Sequence, residues 1–217
     1  MKKYSIELID ELISRNKDIE YLRSAIIGTI ETVLLSVLNK GKLLICGNGG
    51  SASDSDHIVG ELLKEFYIKR PIGIDEREVL ISAYGSEGEF LADRLQGAIP
   101  AISLSAHTAF LTAFGNDADS NIAFAQEVYG YGQHGDVFMC LSTSGNSKNV
   151  IYAAKVARIK GLKVVGFTGA TGGELKELCD YLINVPAIET YRVQEYHLML
   201  YHLICRIVEM EIFGEEE

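Results

Sequence analysis

Two turns and two helical clusters carry the residues whose types and spacing can do chemistry. Ser142-Thr143-Ser144-Gly145-Asn146-Ser147 sets four hydroxyls directly after the apolar run 137–141. A strand that turns into a helix through such residues offers unpaired N–H groups, the positive end of the helix dipole and hydroxyl donors, a combination suited to a phosphate. Gly145 lets the backbone approach that ligand, and the next helix opens on Lys148 with no acid in its first turn. The second turn, Gly47-Asn48-Gly49-Gly50-Ser51, leads instead into Asp54 and Asp56. Those carboxylates already complement the dipole and repel phosphate, so this turn suits the neutral, hydroxylated part of a ligand. Neither turn matches G-x-G-x-x-G or the P-loop, so dinucleotides and nucleoside triphosphates are not indicated.

His57 and Glu61 stand four apart on the helix that leaves the glycine turn, which puts them on one face. Gln194 and His202 are eight apart near the C-terminus, a helical drift of roughly 80° that still falls within one wide stripe. Two His, one Glu and one Gln can hold a metal ion or do acid–base work without one, and Gln is an infrequent zinc ligand. His197, on the same predicted helix, is a rival for His202. His107 and His134 read as loop or helix-cap residues.

These groups need a frame, and the chain repeats one grammar. Residues 42–46 form an apolar run, followed by the glycine turn and a helix over 51–66. The pattern returns at 136–141, the serine turn and a helix over 147–160, then at 162–168, a glycine-rich turn, a helix through 178 and a strand over 181–185. A strand over 99–104 and helices over 107–114 and 121–131 complete the middle. Such alternation predicts an α/β fold with a parallel sheet covered on both faces. Residues 5–39 read as helical from Leu22, Ile26, Ile30, Val33, Leu34 and Val37, although Gly28 weakens the pattern. A last helix spans 191–213, before the acidic Glu215-Glu216-Glu217. Residues 67–96 mix Pro71, several glycines and many charges, and read as an insertion with a helix-like piece over 87–95.

With 217 residues, 47% of them hydrophobic, one domain over 1–217 is expected. No run approaches roughly 18 uninterrupted apolar residues, and Met1-Lys2-Lys3 has no apolar segment behind it, so a cytoplasmic protein without a membrane partner is expected. The formal charge of −10 argues against nucleic acid as a general partner, but one small anion needs only local donors. Cys46, Cys140, Cys179 and Cys205 follow no metal-ligand spacing and read as reduced core thiols.

As an ordered set, the chain resembles the sugar isomerase (SIS) domain superfamily and, within it, the phosphoheptose isomerases. The matching segments are Cys46-Gly47-Asn48-Gly49-Gly50-Ser51 running into His57 and Glu61; Gly115-Asn116-Asp117; residues 135–147; Thr168-Gly169 with Gly172-Gly173; and Val193-Gln194-Glu195 running to His202. The resemblance implies a flavodoxin-like α/β sandwich and a homotetramer with sites between subunits, the N-terminal helix helping to form it. It implies that Ser142, Thr143, Ser144 and Ser147 hold the phosphate, while Asn48, Gly49, Gly50, Ser51, Asn116, Asp117 and Gln194 meet the rest of the sugar. It also implies zinc held by His57, Glu61, Gln194 and His202. Aldose–ketose isomerisation needs a carbon base and a group that shuttles protons at the oxygens, for which Glu61 and His202 are the candidates. Two features depart from the pattern: the insertion at about 72–98, and Tyr191 where the family commonly carries Asp. They leave open an isomerase of another phosphosugar, a scaffold of the DnaA-initiator-associating type, or a sugar-phosphate sensor.

Overall fold

The structure is a computed structural model described over residues 1–214; the acidic Glu215-Glu216-Glu217 lies outside the described residues. Five strands among them form one parallel sheet: β1 (Leu43–Gly47), β2 (Ala101–Ser103), β3 (Val137–Leu141), β4 (Lys163–Thr168) and β5 (Tyr181–Asn184), in the order β2-β1-β3-β4-β5. β1 and β3 are buried along their whole length, as continuous apolar runs covered on both faces must be. The order reverses direction between β1 and β3, and ligands of open α/β sheets bind outside the carboxyl ends at such a point. Both turns leave the sheet there, with Cys46 paired to Cys140 and Gly47 to Leu141.

The helices are α1 (Lys3–Arg15), α2 (Arg23–Leu38), α3 (Gly50–Leu63), α4 (Ile74–Tyr84), α5 (Ser86–Ala92), α6 (Thr108–Phe114), α7 (Ala123–Tyr131), α8 (Lys148–Ile159) and α9 (Thr190–Phe213). One core, with Ile26, Ile58 and Leu200, joins α1, α2, α3 and α9 to one sheet face. The other, with Val128, Ala153 and Phe138, joins α7 and α8 to the opposite face. The helical N-terminal segment is present as two helices joined by a 3-10 turn, Lys17–Leu22. Asn16 makes the joint: its backbone leaves the helical region at φ −133°, and its side chain donates to the Leu12 carbonyl at 3.0 Å.

Residues 17–38 are long and apolar enough, at a mean hydropathy of 1.5, to cross a membrane by length and composition. Here Ile26, Ile30 and Val33 are buried, in the core that α2 shares with α9, which accounts for that character. Gly28 has its own reason: a Cβ there would lie 2.0 Å from the Tyr181 ring, so glycine lets β5 close on the helix.

The insertion folds as a hairpin of α4 and α5 about Gly85, whose φ of +57° favours glycine. The expected helix at 87–95 corresponds to α5 and the turn after it. α4 was not legible, because Val79 lies opposite Ile74, Ile81 and Tyr84, Arg77 interrupts their face, and none of its residues is buried. The helix expected through 178 is a short 3-10 turn, Glu174–Glu177.

Candidate active site

The serine turn is built mainly by its own backbone. Gly145 has φ +68°, and a Cβ there would lie 2.1 Å from the Gly172 carbonyl oxygen, so the turn and the glycines after β4 interlock only with glycine at this position. The Gly145 amide donates to the Ser142 carbonyl at 2.9 Å, and the Asn146 amide to Ser144 Oγ at 3.1 Å. Ser142 and Ser147 share a hydroxyl hydrogen bond of 3.0 Å. Ser147 occupies the N-cap of α8, yet its hydroxyl does not cap the helix. The first turn of α8 carries no acid and thus keeps the dipole available to an anion.

The two turns are tied together by Asn48 and Asn149, whose amides exchange hydrogen bonds of 3.0 and 2.9 Å. Asn149 was missed in the sequence; its signal was its place in the first turn of the helix after the serine turn. Gln194 belongs to the same end of the molecule, because a Cβ on Gly50 would come within 2.3 Å of its Nε2. Asn116 and Asp117 lie on a π-helical turn, Gly115–Asp119, where the Asn116 amide donates to Asp117 at 2.9 Å. That turn runs beside α8: Lys148 helps to hold the Asp119 carboxyl below its usual range, after the larger effect of hydrogen bonds from Asn121. Asn48, Gly49, Gly50, Ser144, Asn116 and Asp117 are exposed, whereas Ser51 and Ser142 are buried beneath them.

A second group of side chains forms where α3 packs on α9. His57, Glu61 and His202 offer ligand atoms that all lie within 4.8 Å of one another. His57 Nε2 stands 3.1 Å from Glu61 Oε1, and the His57 and His202 rings meet edge to face at 4.9 Å between centroids. Burial, then the charge of His57, lowers the His202 pKa, while Glu61 works the other way. Behind them the Tyr201 hydroxyl donates to Asp54 at 3.4 Å and lies 3.0 Å from His57 Nδ1. His57 is thus held at both ring nitrogens, Nδ1 by the Tyr201 hydroxyl and Nε2 by the Glu61 carboxylate.

The donor set of two imidazoles and one carboxylate matches a catalytic zinc site, which keeps a fourth position for water or substrate. Gln194 stands eight residues before His202, about 12 Å back along the axis of α9, with its amide beside Gly50. Eleven residues on α3 likewise set Glu61 about 16 Å along the axis from Gly50. The glycine turn and Glu61 thus stand towards opposite ends of α3.

His197 lies apart from the cluster. It is fully buried against the Phe167 ring, with Nε2 3.3 Å from the Thr168 carbonyl oxygen, and burial pushes its pKa down to about 4. His107 pairs with the buried Glu127 next to α6, and His134 lines a cavity of about 510 Å³ with Gln133, Lys40 and Ser36, away from both groups. Cys46, Cys140 and Cys205 are buried free thiols and Cys179 is half-buried.

Comparison with known proteins places this geometry. A family described as SIS domain matches residues 91–169, which hold β2, the π-helical turn and the serine turn. The chain is 37% identical over 214 residues to the phosphoheptose isomerase of Clostridium acetobutylicum, covering 99% of this chain and 94% of that one. It is 40% identical over 197 residues to that of Aneurinibacillus thermoaerophilus, covering 90% and 85%. The phosphoheptose isomerase structure from Neisseria gonorrhoeae superposes with a TM-score of 0.72 at 30% identity, over 95% of this chain and 97% of that one. Likeness of this extent, over a sheet whose switch point carries both turns, makes the chain a member of the phosphoheptose isomerase family.

Proposed function

We propose that the protein is a phosphosugar isomerase that interconverts sedoheptulose 7-phosphate and D-glycero-D-manno-heptose 7-phosphate. The observation that carries the reading is the pairing of an acid-free serine turn with a compact His57–Glu61–His202 cluster on a chain of this family. Ser142, Thr143, Ser144 and Ser147 hold the phosphate; Asn48, Gly49, Gly50, Ser51, Asn116, Asp117 and Gln194 meet the sugar. Glu61 takes the proton from C1 of the ketose and returns it to C2 of the enediol. His202, whose pKa is lowered first by burial, accepts the O1 proton and delivers one to O2, so the isomerisation balances without any external donor. His57, Glu61 and His202 are the residues that would hold zinc, which when bound polarises the substrate carbonyl as a Lewis acid.

The protein acts in this reading as a cytoplasmic homotetramer with sites between subunits. One observation supports that assembly: Leu35 and Leu38 on α2 and Tyr191 on α9 are exposed, as apolar groups at a subunit contact are in a single chain.

A coupled assay with sedoheptulose 7-phosphate, run with and without a chelator, tests the reading. Turnover that the chelator removes and zinc restores is expected; no conversion by the zinc-loaded oligomer would overturn the heptose assignment.

A further inference from the structure

The buried ion pair between Arg70 and Glu209 touches neither turn and none of the clustered side chains, yet its hydrogen bonds end on α3, which carries His57 and Glu61, and on the turn after it, whose Phe66 ring stacks on His202. Both residues are 1% exposed. Arg70 Nη1 and Nη2 donate to the carbonyls of Leu62 and Glu61, each at 3.0 Å, and thereby close the C-terminal turn of α3, where those carbonyls have no partner within the helix. Arg70 Nε lies 3.0 Å from Glu209 Oε1. The Glu209 carboxylate accepts three successive amides, from Phe66 and Tyr67 at 2.7 Å and from Ile68 at 3.2 Å. That nest fixes the turn after α3 and lays the Phe66 ring on His202, with 5.6 Å between centroids and planes 25° apart. Glu209 sits two turns beyond His202 on α9, so a single ion pair holds the Glu61 end of α3, the ring over His202 and the helix carrying His202.

We propose that Arg70 and Glu209 are positioning residues for the reaction, acting through Glu61 and His202; this rests on the isomerase reading above. A buried pair is weak support for stability, because well-packed apolar residues often serve as well. Here the pair also aligns α3, α9 and the Phe66 ring. Partners that orient the groups of a metal or catalytic site typically account for about 10–100-fold in affinity or activity when replaced.

The test uses the full-length protein with Glu209→Gln, which keeps the shape and removes the charge. The expected result is a fall in kcat of about 10–100-fold, with zinc affinity weakened by a similar factor and KM for the phosphosugar unchanged. Proton NMR of the histidines supplies a readout independent of turnover. The His202 resonances should shift as the Phe66 ring moves, while those of His134 stay in place. A folded Glu209→Gln protein with unchanged kcat and unchanged His202 resonances would overturn the proposal. A purely structural role would lower the melting temperature and leave kcat per folded molecule intact. Should Glu209→Gln not fold, Phe66→Leu, which leaves the ion pair in place, must show the same loss of kcat and shift of His202, and its failure to do so is equally decisive. If the wild type does not isomerise the heptose, that reading falls alone, since the His202 resonances still report whether the pair positions the ring.

Discussion

The serine turn and the His57–Glu61–His202 cluster are made by opposite means. The turn is six consecutive residues, closed on itself by backbone bonds and by one glycine pressed against Gly172. The cluster joins residues nearly 150 positions apart, on two helices that have to be packed and aligned from behind. Local backbone geometry survives most changes elsewhere in a protein, whereas a cluster assembled across a core depends on everything that sets the two helices. Binding should therefore be robust and chemistry fragile.

The largest effect that would sharpen this contrast is at Glu61. Glu61→Gln should lower kcat by about 10²–10⁴-fold, the usual contribution of a positioned base, while calorimetry still finds the phosphosugar bound. An active Glu61→Gln protein would break the assignment of the cluster to catalysis.

Acidification should strike next, through the helix that carries His202. His197 is buried and neutral, its pKa pushed down to about 4 from 6.5 by burial, so between those values the unfolded chain binds a proton that the folded chain refuses. Its contribution is complete above pH 6.5 and is lost as the pH falls, by about 3 kcal/mol near pH 4. Urea unfolding from pH 7 to pH 4 should follow that decline, and His197→Leu should flatten it. An unaltered slope in the variant would assign the acid sensitivity elsewhere.

The smallest effect belongs to the turn. Ser144→Ala removes one hydroxyl among several donors and should weaken phosphosugar binding by about 1 kcal/mol, roughly fivefold, with kcat at saturation little changed. Affinity equal to wild type would remove Ser144 from the phosphate cradle.

How much of this was legible in the sequence follows the same division. The strands and both turns could be read, because each is a contiguous run with its own composition, and the parallel sheet followed from their alternation. The His57 and Glu61 pairing could also be read, since four residues make one helical turn. Tyr201 and Asp54 could not, because 147 positions separate them and only the packing of α3 on α9 joins them. Gln194 is a different case: its angular stripe includes His202, and its contact with Gly50 is one that spacing along α9 does not announce. The helix α4 left no continuous stripe in the apolar pattern, because it buries none of its residues and Arg77 interrupts its apolar face.

Sharing of sites between copies has a genetic consequence. If each working site draws its cradle from one copy and its carboxylate from another, lesions in the two halves belong to different complementation classes. Glu61→Gln chains and chains crippled at the serine turn, each inactive alone, would regain part of the activity when refolded together, because some sites in the mixed assembly inherit both intact halves. Two lesions on a single chain, co-assembled with wild type, would instead leave pure wild-type pairings as the working sites. One dead allele would then suppress its neighbours, and two different ones would rescue each other.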